Sequence, residues 1–487
     1  MSKEISNLYP QSLWKYFYGL TQIPRPSKNE AKVIQYVKEF GEKLGLETIV
    51  DEIGNVIIKK PATPGMENRQ GIVLQGHLDM VPQANSDSNH DFLKDPISAY
   101  VDGEWVTADG TTLGADNGMG VAAAMAVLES TDIPHGPIEG LFTIDEETGM
   151  TGAFGLKSGI LDGDILVNMD SEDEGELYVG CAGGTNANIT FDFNAEGAPE
   201  STTAVKLGVK GLKGGHSGID IPLERGNSNK LLFRFVFETL EEYGLKIGPM
   251  DGGSLRNAIP RESFVTVVVA SDKVEELKKA FSEFTLTVQK EFSSADPGLE
   301  TSFEAIEMPE SVMDSDAAMR LTKAVYACPN GVIRMSTDME GLVETSTNLA
   351  IVKTVGNQVK IQCLIRSSVD SAKDDLKNMF SSVFDLAGGN IVFDGEYQGW
   401  KPNLDSAILK SSQEVYNKLY GKIPEIKAIH AGLECGILGG SYPKWDMISF
   451  GPTIRFPHSP DEKVNIETVG KFWDFLVAVL ADAPLKA

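Results

Sequence analysis

The sequence predicts an α/β protein: a mixed sheet flanked by helices, built from the first and last parts of the chain and interrupted by a long α+β insert. Three observations carry this. Short apolar runs, Ile72 to Leu74, Gly140 to Ile144 and Ile165 to Val167, stop abruptly at polar residues, as strands buried on both faces do. The Ala-rich run Val121 to Leu128 between them reads as a buried helix. Finally, 487 residues are too many for one ordinary core and suggest two or three domains.

In order along the chain, Pro10 to Leu46 reads as amphipathic helices, with Val33, Ile34, Val37, Phe40 and Leu44 at helical spacing. Thr48 to Lys59 reads as a hairpin turning at Gly54-Asn55. Strand Ile72 to Leu74, helix Gly118 to Glu129, strand Gly140 to Ile144 and strand Asp164 to Met169 complete the first part, residues 1–186. Residues 187–400 alternate strands and helices without an acid-tipped apolar strand, and two tandem α+β units fit that order. Helix Leu404 to Leu419, strand Asp446 to Phe450 and helix Ile466 to Leu480 then resume the first domain over residues 401–487.

Hydrophobic residues make up 41% of the chain, and no apolar stretch reaches the length of a membrane span. Met1 to Asn7 lacks the basic-then-apolar pattern of a signal peptide, so a cytoplasmic location is expected. The net charge of −27 repels nucleic acid and anionic lipid, which disfavours both as partners. Cys181, Cys328, Cys363 and Cys435 are scattered without close pairing. Reduced thiols are expected, and a cysteine-based zinc module is not.

Chemistry gathers where the apolar strands end. His77-x-Asp79 follows Ile72 to Leu74, and the carboxyl edge of an open α/β sheet is where ligands bind. Alone it says little, because a single His at a strand end is commonly a packed or capping residue. Four further stretches join it: Asp116 in a polar loop just before a helix, Asp145-Glu146-Glu147, Asp170, and His458 in Pro457-His-Ser-Pro. Two imidazoles with several carboxylates suit zinc or a related divalent ion. His458 joins the others only across the whole insert, which points to a preformed cleft and against a local metal module. Asp79, two residues beyond His77, lies on the same side of an extended backbone and suits holding the imidazole through its second nitrogen. His90 and His135 fall outside the set and are read as surface residues.

His77-x-Asp79, Asp116, Glu146-Glu147, Asp170 and His458, in this order, resemble the dinuclear zinc peptidases that include carnosinases, aminoacylases and the co-catalytic zinc carboxypeptidases. The resemblance runs over essentially the whole chain, from Tyr9-Pro10 to Trp14 through His430-Ala-Gly-Leu-Glu-Cys-Gly436. It implies that Asp116 bridges two metal ions, that His77 and Asp170 complete one, and that Glu147 and His458 complete the other. Three carboxylates and a bridging hydroxide then balance four positive charges, as a partly buried cluster requires. Glu146 matches the general base, the Asp116-Asn117 peptide matches a position that is cis in the family, and the insert matches a doubled lid domain. In that lid, His216 within Gly214-Gly-His-Ser-Gly218 matches the histidine that stabilises the oxyanion. Asn257 and Arg366 match positions that bind the substrate carboxylate, although Arg366 also reads as a strand-end arginine paired with a structural acid. Gly432 and Glu434 match a pocket-lining segment, Gly432 bringing backbone close and Glu434 meeting the substrate α-ammonium group.

The implied activity is hydrolysis of dipeptides, Xaa-His among them, by a homodimer holding two zinc ions per chain, with cobalt and manganese as alternatives. The same centre also suits N-acyl amino acids or longer peptides, and a third reading is a non-catalytic zinc-binding protein. The presence of Glu146 speaks against the third, since a binding module has no need of a base.

Overall fold

The apolar runs form the middle of an eight-stranded sheet. In spatial order its strands are Glu47–Val50, Val56–Lys60, Ile138–Thr143, Ile72–His77, Ile165–Asn168, Asp446–Ser449, Glu176–Cys181 and Glu425–Ile429. The four central strands, Ile138–Thr143 to Asp446–Ser449, run parallel. The first three of these are buried along their whole length, which explains the apolar runs within them. Parallel strands share one carboxyl edge, so His77, Thr143, Asn168 and Ser449 all end on the same side of the sheet. Helix Ala115–Glu129 is buried nearly all round, and the expected hairpin pairs Val50 with Val56. A separate four-stranded sheet pairs Lys463–Asn465 with Trp105–Ala108 and so brings the segment after His458 beside the segment before Asp116.

The computed structural model describes residues 2–486; Met1 and Ala487, the outer ends of the expected catalytic domain, lie outside the described residues. The chain divides into two compact units. One holds the residues up to Gly180, Pro402–Ala428 and those from Leu433 onward; the other holds Cys181–Lys401 and Ile429–Gly432. The short segment around His430 thus groups with the insert, although it follows the chain's return at residue 402.

The second unit is one antiparallel sheet of nine strands covered by helices Ser228–Thr239, Val274–Glu291, Ser315–Ala327 and Asp370–Ala387. The two α+β halves read from the sequence share this sheet. They join where Asp251 and Gly252 pair with Lys353 and Val352. One apolar core, with Phe191, Val205, Phe235, Phe281, Phe380 and Phe384 in it, runs through both halves. A seam only two residue pairs long leaves no mark on local periodicity, which is why the sequence reads as two units. Among the described residues, no helix is long and apolar enough to cross a membrane.

Candidate metal centre

Asp116 lies between the two imidazoles. Its Oδ1 is 3.0 Å from His77 Nε2, and its Oδ2 is 3.3 Å from His458 Nε2. On the first side, Asp170 Oδ1 stands 3.4 Å from His77 Nε2; on the second, Glu147 Oε2 stands 2.9 Å from His458 Nε2. Two three-residue groups result, His77–Asp116–Asp170 and Asp116–Glu147–His458, each with donor atoms within 4.8 Å of one another and with Asp116 common to both. The Asp116-Asn117 peptide is cis. His77, Glu146 and Glu147 form a third such group.

Asp79 is fully buried behind His77. Its carbonyl oxygen and Oδ1 lie 3.2 and 3.4 Å from His77 Nδ1. Two acceptors beside Nδ1 keep a proton on that nitrogen and turn Nε2 toward Asp116 and Asp170. The same carboxylate accepts the Ser27 hydroxyl at 2.7 Å and the backbone N–H groups of Glu146 and Glu147 at 3.1 and 3.3 Å. Asp79 therefore fixes both the His77 ring and the start of the Glu146-Glu147 turn. Burial raises its pKa, but the bonds from His77, Ser27 and Glu146 outweigh burial and bring it to about 2.

The centre is crowded with negative charge. Burial, then the field of Asp116 and Glu147, lifts Asp170 to about 7. Glu146 is raised well above the usual carboxylate range, by burial and then by Asp170, Glu434 and Glu147. Hydrogen bonds to Asp116 and Glu147 lift His458 to about 11, while His77 is raised by Asp170, Asp116 and Asp79 against the opposing effect of burial. Protons thus hold together groups that a cation would hold instead. Glu147 Oε1 and Asp170 Oδ1 are also buried without a hydrogen-bond partner. Orphaned carboxylate lone pairs beside two imidazoles fit two divalent ions.

The model of peptidase family M20/M25/M40 matches residues 73–482. The chain belongs to this family. Over 483 residues it is 46% identical to the cytosol non-specific dipeptidase of Escherichia coli (strain K12), covering 99% of this chain and 100% of that one. It superposes on the crystal structure of aminoacylhistidine dipeptidase from Vibrio alginolyticus with a TM-score of 0.95 at 51% identity, over 100% of both chains. Aminopeptidase PepT from Bacillus cereus ATCC 10987, at 17% identity and a TM-score of 0.57 over 98% of this chain and 99% of that one, shares the fold alone. The expected fold class and the expected family are both found, and this M20 chain is a metallopeptidase.

A second cluster lies in the other unit. His216 Nδ1 accepts the N–H groups of Gly218 and Ile219 at 3.2 and 3.0 Å, so the ring proton sits on Nε2. That Nε2 is 3.4 Å from Arg366 Nη2, and Arg366 Nη1 donates to the Tyr397 hydroxyl at 3.2 Å. Arg366 is buried, its Nε has no partner, and among the described residues no carboxylate pairs with it. The alternative of a structural ion pair is therefore not what the structure shows. Asn257 is exposed in the turn beside His216, its carbonyl accepting the Ser217 N–H at 2.8 Å. The Gly432 backbone packs on the Tyr397 ring, and a Cβ there would come within 3.1 Å of it.

Three expectations change. Glu434 does not line an open pocket: it is 1% exposed, and its Oε2 accepts Gln75 Nε2 at 2.6 Å and Thr143 Oγ1 at 2.8 Å. From Gln75 the bonds continue through Asn168 to Ser449 and Ser171, tying together the carboxyl ends of four strands. His135 is fully buried, with Nδ1 2.6 Å from the Gly136 carbonyl, and His90 is half-buried with its ring edge-on to Phe92. Glu172, lifted to about 8 by burial and by the charges of Asp116 and Asp170, was missed. Its place two residues beyond Asp170 was the available signal. Tyr397 and Ser346, the latter 2.7 Å from His430 Nε2, lie in strands with no motif around them.

Proposed function

We propose that this chain is a dinuclear metallo-dipeptidase that hydrolyses Xaa-His and other dipeptides. The observation that carries the reading is Asp116, whose two oxygens face two separate His-and-carboxylate groups. In it, His77 and Asp170 would hold one ion and Glu147 and His458 the other, with Asp116 shared by both groups. Bound there, the two ions supply Lewis acidity and bring the pKa of water down to roughly 7. Zinc suits these ligands, and cobalt or manganese share them.

Glu146 is the general base. A carboxylate whose proton affinity is raised by burial and like charge takes a proton from water and returns it to the leaving amine. Asp79 orients His77. Arg366 receives the C-terminal carboxylate of the dipeptide, assisted by Asn257, and His216 offers its Nε2 proton to the developing oxyanion. In this reading residues 1–186 and 401–487 form the catalytic domain and 187–400 the lid. The whole-length likeness to a cytosolic dipeptidase supports action on dipeptides in the cytoplasm, and a homodimer follows from the family resemblance.

The test is hydrolysis of β-alanyl-histidine by metal-stripped protein as zinc, cobalt or manganese is titrated back. Activity that rises and levels off at two equivalents per chain supports the reading. Two ions bound without hydrolysis moves the substrate to N-acyl amino acids or longer peptides, and failure to bind two ions removes the centre.

A further inference from the structure

Two buried charged residues outside the ligand set grip the same four-residue segment, Leu113 to Asp116. Glu462, four residues beyond His458, is 2% exposed. Its Oε2 accepts the backbone N–H groups of Leu113 and Gly114 at 2.7 and 2.9 Å, and its Oε1 accepts those of Ala115 and Asp116 at 2.7 and 3.2 Å. Its own backbone is held by Ser459, whose carbonyl accepts the Glu462 N–H at 3.0 Å, and by the Thr107 hydroxyl on its carbonyl at 2.8 Å. Arg25, also 2% exposed, donates Nη2 to the Gly114 carbonyl at 2.5 Å and Nη1 to the carbonyls of Leu78 and Asp79 at 2.9 Å each.

One carboxylate therefore satisfies four consecutive amides, and one guanidinium takes the carbonyl in their midst. The segment so held ends in Asp116. The other ends of the two grips are the chain just after His77 and the loop that carries His458. Neither residue contributes an atom to the groups around the centre. Leaving four buried N–H groups without acceptors is costly, so the Glu462 side chain dictates where this loop runs.

We propose that Glu462 and Arg25 are positioning residues that lock the Asp116 loop to the His77 and His458 segments and so set the spacing of the two ion positions. The inference rests on the reading of the five ligands as one dinuclear centre. Such outer residues alter metal affinity without touching the metal.

The test uses the full-length protein, metal-stripped, as wild type, Glu462→Gln and Arg25→Lys. Glu462→Gln keeps the shape but turns an N–H₂ group toward backbone donors. Amide hydrogen exchange across residues 111–118 should be faster in this variant, with exchange elsewhere unchanged. Cobalt binding should weaken by about 10–100-fold, with kcat at fixed metal reduced and KM for the dipeptide retained. Arg25→Lys, which gives up the forked contact to residues 78, 79 and 114, should move both readouts in the same direction and keeps the test alive if Glu462→Gln does not fold. Folded variants with wild-type exchange and wild-type cobalt affinity would overturn the proposal. Wild type that fails to take up a pair of cobalt ions would instead remove the reading of the centre on which it rests.

Discussion

The histidines of the two units are driven in opposite directions. In the first unit His77 and His458 are pushed toward the charged form, because each faces two or more carboxylates. In the second, His216 and His430 are pushed toward the neutral form by burial and by the Arg366 guanidinium, His430 down to about 3. One region has more anions than its own cations neutralise; in the other, among the described residues, no carboxylate pairs with the buried Arg366 guanidinium. The same side chain thus reports what each region lacks: in the proposed reading, divalent cations in the first and a substrate carboxylate in the second.

The contrast can be broken at several points, the largest effect first. Replacing Asp116 with Ala should empty the centre, with activity lost and most of the bound metal gone by atomic emission, since both groups share this carboxylate. A variant that keeps two ions and full activity would remove the bridge. Glu146→Gln should keep both ions yet lower kcat by about 10²–10⁴-fold, the share of a general base; loss of metal would mean that a ligand had been mistaken for a base. Arg366→Ala should leave metal content unchanged and raise KM for dipeptides by about 10–100-fold, in line with ~1.5–3 kcal/mol for a hydrogen bond to a charged group. A normal KM would show that the unpaired guanidinium does not meet the substrate.

The smallest effect is on stability. The folded pKa of His430, about 3, lies below the ordinary 6.5. Above pH 6.5 the imidazole is neutral in both states and its contribution is complete. As pH falls from 6.5 toward 3, only the unfolded chain takes up the proton, and stability drops by at most about 1.4 kcal/mol per pH unit. Urea melts at pH 7 and pH 5 should therefore show a smaller loss for His430→Asn than for wild type.

The cluster of imidazoles and carboxylates was largely legible in the sequence because most of its members stand where apolar strands stop, a pattern that needs no knowledge of contacts. His77 ends one of three adjacent parallel strands and Glu147 and Asp170 follow the other two, and burial on both faces made those strands visible. What holds these residues in place was not legible. Glu462 acts on backbone amides, which every residue carries, so its partners leave no signature; Arg25 takes only carbonyls. Glu434 was placed in the pocket lining by the resemblance of its segment to the family's, yet its partners Gln75 and Thr143 lie some three hundred residues earlier in the chain. The single sheet of the second unit escaped for the same reason, its halves meeting through a pairing across about one hundred residues.

The bridging role of Asp116 is tested most directly by anomalous diffraction from crystals of the cobalt-loaded protein. The account predicts two peaks per chain about 3.5–4 Å apart, one against Asp116, His77 and Asp170, the other against Asp116, Glu147 and His458. A single peak, or two peaks of which one lies away from Asp116, would contradict it.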